Sequence, residues 1–192
     1  MVKLLVPRGS ASRRTVGRRT IRGLWGLFTA LLLTVVAVGV AGSPAYARAH
    51  HVTEIQNDGN GKCLDVATQN NYTVQLWNCT NTPEQNWIYG DSTIIGGVAY
   101  IQILNWRNST CLDVAGGSLD AWVPVVVNPC VTTDSQLWAP FYAGSPTVRT
   151  LINRHSGLCL DLFNNNSRNG TIIQQYPCNS TSAQVWRIDD GW

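Results

Sequence analysis

The sequence predicts an all-β domain built from three copies of one unit, and three observations carry that prediction. The tripeptide Cys-Leu-Asp occurs at residues 63–65, 111–113 and 159–161, forty-eight residues apart each time. Each copy then continues with a second cysteine (Cys79, Cys130, Cys178) and a Gln-x-Trp (Gln85-Asn86-Trp87, Gln136-Leu137-Trp138, Gln184-Val185-Trp186), and an Asn precedes each first cysteine by six residues, at Asn57, Asn105 and Asn153. Finally, short runs rich in β-branched and aromatic residues, at 74–77, 100–104, 123–127, 148–152 and 171–176, are separated by Gly, Asn, Asp, Ser and Pro, with no long helical stripe. A unit this short cannot bury its own apolar face, so the copies must share a core. A closed three-fold barrel is favoured over an open solenoid, because near-equal copies without polar end caps then leave no exposed sheet edge.

Taken from the start of the chain, residues 1–22 hold seven of the fourteen basic residues and no acid, and residues 24–41 carry no charge. A basic leader followed by an apolar run, then Ala45-Tyr46-Ala47 and Ala47-Arg48-Ala49 as small-x-small sites, reads as an export signal with its processing region at 1–49. An uncleaved anchor is the competing reading, since the apolar run approaches the length that spans a bilayer. Arg18-Arg19 leaves Sec and twin-arginine export both open, and residues 5–10 spell a thrombin-type cleavage sequence.

Beyond the leader the charge reverses. From Arg48 onward there are seven Lys or Arg against eleven Asp or Glu, a formal net charge of −4. Nucleic acid is therefore not an expected partner, because phosphate recognition needs a basic patch. Stable membrane insertion is not expected after processing. The remaining chain reads as one domain, 50–192, divided into approximate repeats 50–98, 99–146 and 147–192.

All six cysteines fall beyond the leader, two per copy. Export and an even count argue for disulfides. Repetition removes most of the ambiguity among the possible pairings, since 63–79, 111–130 and 159–178 treat every copy alike. Zinc is not expected, because no Cys-x-x-Cys occurs and His50, His51 and His155 do not recur at repeat positions. Positions filled identically in each copy read as core: Leu64, Leu112 and Leu160, Trp87, Trp138 and Trp186, with the apolar Ile55, Ile103 and Leu151 two residues before each repeat Asn. The glutamines beside those tryptophans have an unspecialised task available, bonding buried backbone groups that would be costly to leave alone.

With Cys-Leu-Asp, the second cysteine and Gln-x-Trp each recurring three times, the chain from about residue 52 onward resembles a ricin B-type lectin domain, a β-trefoil of the carbohydrate-binding module class. The resemblance implies four short strands per repeat, six strands in a barrel and six in hairpins closing one end. It also implies pockets for galactosyl, xylosyl or other glycan units, with some repeats silent. The family pocket uses the Asp after the first cysteine, a Gln and an aromatic residue shortly before the second, and an Asn-Gln at the head of Gln-x-Trp. These positions are Asp65, Gln75, Trp77, Glu84 and Gln85 in the first copy and Asp161, Gln174, Tyr176, Ala183 and Gln184 in the third. The second copy gives Asp113, Val126, Asn128, Ser135 and Gln136. The family Asn is thus replaced by Glu84, Ser135 and Ala183.

The residue chemistry supports the same positions. A pyranose offers a ring of hydroxyls and an apolar face, which a carboxylate, an amide and an aromatic platform complement. Gln75 and Trp77 stand two apart, on one face of a strand, and Gln174 and Tyr176 repeat the spacing. Repeat two has neither amide nor ring there, and its Trp122 is left available to a different ligand. Catalysis is not expected: glycoside hydrolysis needs two carboxylates flanking a cleft, the recurrent acid is single, and no Gly-x-Ser-x-Gly or His-Glu-x-x-His occurs. No cofactor is expected. The expected partner is a glycan or polysaccharide, with a separately encoded enzyme as a further open partner. The alternative function is a protein-binding trefoil, an inhibitor or effector that binds no sugar.

Overall fold

The structure is a computed structural model and describes residues 52–188. The leader, both processing sites and Asp189-Asp190 lie outside those residues. Each repeat contributes four strands: β1 (Val52–Asn57), β2 (Cys63–Val66), β3 (Val74–Trp77) and β4 (Asn86–Tyr89) from the first; β7 (Ile103–Asn105), β8 (Thr110–Val114), β9 (Val125–Pro129) and β10 (Trp138–Tyr142) from the second; β11 (Val148–Asn153), β12 (Cys159–Leu162), β13 (Thr171–Tyr176) and β14 (Trp186–Ile188) from the third. Two further strands, β5 (Thr93–Ile95) and β6 (Val98–Tyr100), make a separate hairpin across the expected boundary between the first two repeats. Gly96 and Gly97, with φ of 59° and 82°, supply the left-handed turn it needs.

Six strands form the barrel. β14 pairs with β1, β1 with β4, β4 with β7, β10 with β11 and β11 with β14, and the reciprocal Ile101–Trp138 backbone bonds at 2.9 Å close the remaining gap. The other six form the hairpins β2–β3, β8–β9 and β12–β13 at one end, linked by short contacts of each hairpin with the next. The all-β, three-fold β-trefoil expected from the sequence is the architecture found.

The core follows the repeat pattern. Ile55, Ile103, Leu151, Leu64, Leu112, Leu160, Trp87, Trp138 and Trp186 all have zero exposure. Burying an indole requires a partner for its N–H. In every copy that partner is the Leu carbonyl of Cys-Leu-Asp: Trp87 Nε1 donates to Leu64 O at 3.1 Å, Trp138 to Leu112 O at 3.0 Å and Trp186 to Leu160 O at 3.1 Å. The disulfides are Cys63–Cys79, Cys111–Cys130 and Cys159–Cys178, each within its own repeat.

The repeat asparagines do work across the copies. Asn57 Nδ2 donates to Ser182 O at 2.8 Å, Asn105 Nδ2 to Glu84 O at 2.9 Å and Asn153 Nδ2 to Ser135 O at 2.8 Å. Each acceptor lies in a single 3₁₀ turn that leads into Gln-x-Trp of the preceding copy. Every copy is therefore clasped to its neighbour, and the first is clasped to the third.

Candidate functional site

Pocket geometry begins with cross-strand pairing in the hairpins. β2 and β3 set Asp65 opposite Gln75 and Cys63 opposite Trp77; β12 and β13 set Asp161 opposite Gln174 and Cys159 opposite Tyr176. Side chains two apart on a strand share a face. Asp65, Gln75, Trp77 and Glu84 therefore line one open depression with Thr68, Gln69, Thr80 and Thr82. Asp161, Gln174, Tyr176 and Ala183 line another with Leu162, Asn164, Asn165, Asn179 and Thr181. Cavity volumes of ≈ 290 Å³ and ≈ 240 Å³ suit a short ligand, since pockets for drug-sized molecules run to about 300–1,000 Å³.

At each floor the carboxylate is held by two amides. Gln75 Nε2 donates to Asp65 Oδ1 at 2.8 Å and Gln85 Nε2 to Oδ2 at 3.1 Å. In the third copy Gln174 Nε2 donates to Asp161 Oδ1 at 2.7 Å and Gln184 Nε2 to Oδ2 at 3.0 Å. A carboxylate accepts about four hydrogen bonds, so each Asp retains acceptor capacity. Gln174 Oε1 is buried without a hydrogen-bond partner among the described residues.

Gln85 and Gln184 sit behind the carboxylates and not in the pocket walls. Both have zero exposure. Gln85 Oε1 accepts the Thr80 N–H at 2.7 Å and its amide donates to Asn78 O at 2.9 Å; Gln184 repeats this with Asn179 N–H and Pro177 O. Gln136 does the same with Val131 N–H, Pro129 O and Asp113. Their amides position the Asp from below.

Glu84 lines the first pocket and pairs with Arg107 at 3.1 Å. The second copy differs at the walls. Val126 stands opposite Asp113, and Asn128 Nδ2 donates to Asp113 Oδ2 at 3.0 Å. The residue in the ring position has turned inward to do the amide's work. Another depression, lined by Val52, Thr53, Glu54, Gln56, Asn81, Asn86 and Arg187, has polar groups but no aromatic ring.

Trp122 departs from the sequence expectation. Although it belongs to the second repeat, it lines the third pocket, with its ring 4.4 Å from that of Tyr176 at an interplanar angle of 62°. The loop before each outer hairpin strand crosses to the next copy. Trp122 N–H therefore bonds Gln175 O at 2.9 Å, as Gly170 N–H bonds Leu76 O at 2.9 Å beside the first pocket.

The ricin-type β-trefoil lectin domain-like family model matches residues 45–118, 93–176 and 143–192, together the whole of the repeat region. The chain belongs to this family. The description of that family is of a lectin domain. The lectin domain superposes on the designed three-fold symmetric protein ThreeFoil with a TM-score of 0.65 at 24% identity, covering 72% of this chain and 98% of that one. The ricin B-like lectin of Macrolepiota procera gives 0.62 at 16% identity, with 73% and 95% covered. An exo-β-1,3-galactanase from Clostridium thermocellum gives 0.64 at 24% identity over 71% of this chain, but the match spans only 29% of that enzyme. At these identities the likeness is one of fold. Comparison with curated proteins finds no match.

Electrostatics distinguish the two floor carboxylates of the lectin domain. Burial raises the pKa of Asp65 above 3.8, opposed by the bonds from Gln75 and Gln85 and reinforced by the charge of Glu84. Burial raises Asp161 likewise, against Gln174 and Gln184. Each carboxylate is thus held against some desolvation at the base of an open, ring-walled depression.

Proposed function

We propose that this lectin domain binds glycans through the pockets of repeats one and three, and that repeat two is silent toward the same sugar. The observation that supports this is the twofold recurrence, in one register, of a carboxylate, an amide and a ring around an open depression, with the ring replaced by Asn128 in the remaining copy. Sugar hydroxyls donate to Asp65 or Asp161, and the apolar face of a pyranose lies on Trp77 or Tyr176. Gln75 and Gln174 orient the carboxylates; Glu84, Gln85 and Gln184 support the floor. The first pocket, with the larger ring, is the stronger toward a single unit.

Galactosyl, xylosyl and arabinosyl units all fit such walls. Galactosides are the first to try, because the Macrolepiota procera lectin was solved in complex with lactose and another fold relative is an exo-β-1,3-galactanase. A single shallow pocket binds in the millimolar range, about −4 kcal/mol. A polysaccharide or cell-surface glycan reaching both pockets gains avidity, which would suit a free lectin or a module serving a separately encoded enzyme.

Glycan-array screening followed by calorimetry tests the proposal. Two sites should saturate, and Trp77→Ala and Tyr176→Ala should each remove one. An array with no hit at high protein density would turn the reading to the protein-binding alternative. Secretion is part of the same proposal, supported by the leader and by three disulfides, which persist in oxidising compartments. N-terminal sequencing of secreted material should begin at Arg48 or His50; an intact 24–41 segment in the membrane fraction would reverse it.

A further inference from the structure

We infer that the third pocket is a two-unit subsite for a linked oligosaccharide, its second platform being Trp122 lent by repeat two. This rests on the glycan-binding reading and adds to it a ligand length and a division of labour between the pockets.

The starting point is a comparison of equivalent residues. Asn71, Trp122 and Gly170 occupy one position in the three copies, since the residue after each faces the neighbouring hairpin through the same backbone bonds, Val127 N–H to Tyr72 O and Gln175 N–H to Val123 O among them. All three have positive φ: 53°, 71° and 84°. Asn and Gly tolerate that conformation, whereas for a bulky aromatic residue it is an outlier. Such a residue persists only where its surroundings hold it, and it clusters at binding sites.

Those surroundings are specific to this copy. Gln175 stands where the first and second copies have the apolar Leu76 and Val127, and it is fully buried. Its amide donates to Ser118 O at 2.9 Å and Asp120 O at 2.7 Å, and its Oε1 accepts from Ser156 Oγ at 2.7 Å. A buried amide replacing a core aliphatic residue is thus spent on clamping the loop that carries Trp122. Phe163 braces the indole from the side at 6.3 Å. Despite this support, Trp122 remains 54% exposed. The protein holds a strained, clamped ring against solvent, which core packing does not explain.

Geometry sets the ligand. The Trp122 and Tyr176 rings meet at 62°, so one pyranose cannot lie flat on both. The unit over Tyr176 reaches the Asp161–Gln174 floor, including the unpaired Gln174 Oε1. The next unit of the chain lies on Trp122 at the rim. In the first pocket the same rim position is Gly170, whose missing Cβ would stand 3.8 Å from the Trp77 ring, so that pocket has a single platform.

The test uses the full domain with Trp77→Ala, which leaves the third pocket as the site read. Calorimetry with galactose against lactose, and xylose against xylotriose, should give about tenfold tighter binding of the oligosaccharide in at least one pair. Adding Trp122→Asn, the residue of the first copy, should reduce that ratio to about one to threefold while changing monosaccharide affinity less than about threefold. Its thermal midpoint should be equal or higher, because the strained residue is replaced by one that accepts positive φ; a purely structural Trp122 would lower it. If the ratio is already near one without the second substitution, or survives it, the two-unit subsite is wrong although glycan binding stands. If the unsubstituted protein binds no glycan, the underlying reading fails and this one with it.

Discussion

Asn128 donates to Asp113 Oδ2 at 3.0 Å from the position that holds Trp77 and Tyr176 in the other copies. The contact exchanges a platform for an internal bond. It also leaves Asp113 Oδ1 buried without a partner among the described residues.

Asn128→Ala should therefore separate stability from binding. Loss of a bond to a carboxylate predicts a destabilisation of about 1–2 kcal/mol, read from the denaturant midpoint. Calorimetric stoichiometry should remain at two sites. Loss of a site in this variant would mean that repeat two takes part in binding.

The three repeat glutamines should behave alike in folding and unlike in function. Gln85, Gln136 and Gln184 each bond a backbone N–H, a backbone carbonyl and the repeat Asp. Replacing any one by Ala should cost about 2–4 kcal/mol, since it leaves buried groups unpaired. Gln85→Ala and Gln184→Ala should in addition weaken binding at their own pocket, while Gln136→Ala leaves affinity intact. Equal affinity in all three variants would remove the glutamines from any role in positioning the site.

Acidification should weaken binding before it unfolds the domain. Asp65 and Asp161 have pKa values raised above 3.8 by burial. Between the ordinary and raised values the native state holds more protons than the unfolded chain. Their contribution to stability is thus greatest at low pH and is lost as pH rises through the raised pKa. Ligand binding runs the opposite way, because hydroxyl donors require the ionised carboxylates. Titration from about pH 7 to about pH 3 should show affinity falling, with the decline starting at a higher pH than for an ordinary carboxylate. A flat profile over that interval would exclude the two carboxylates as sugar acceptors.

What the sequence made legible is what each copy repeats. Leu64 and Trp87, their counterparts and the cysteine pairs recur because every unit needs them, so spacing alone assigns them. Gln75 and Trp77 share a face as strand periodicity requires, and Asp65 stands opposite Gln75, where the resemblance to the family implied it. The depth of Gln85 and Gln184 was not legible: an amide beside a buried Trp reads the same whether it faces a ligand or the backbone. Trp122 was assigned to its own repeat because local spacing cannot reveal a loop that crosses to Gln175, fifty-three residues further on. Gln175 itself looks like one more polar residue in β13. Its role emerges only when the copies are laid over one another in space.

The clasps made by Asn57, Asn105 and Asn153 run around the molecule without a free end, the first copy being fastened to Ser182 of the last. A linear array can gain or shed a unit and merely change length. This ring has no such latitude: two copies leave an open seam in the barrel, and a fourth has no seam to enter. New ligands must therefore be acquired by altering the loops that cross between copies, as at Trp122 and Gly170, or by joining whole domains. The closed arrangement holds the number of pockets fixed while leaving each free to diverge from the others.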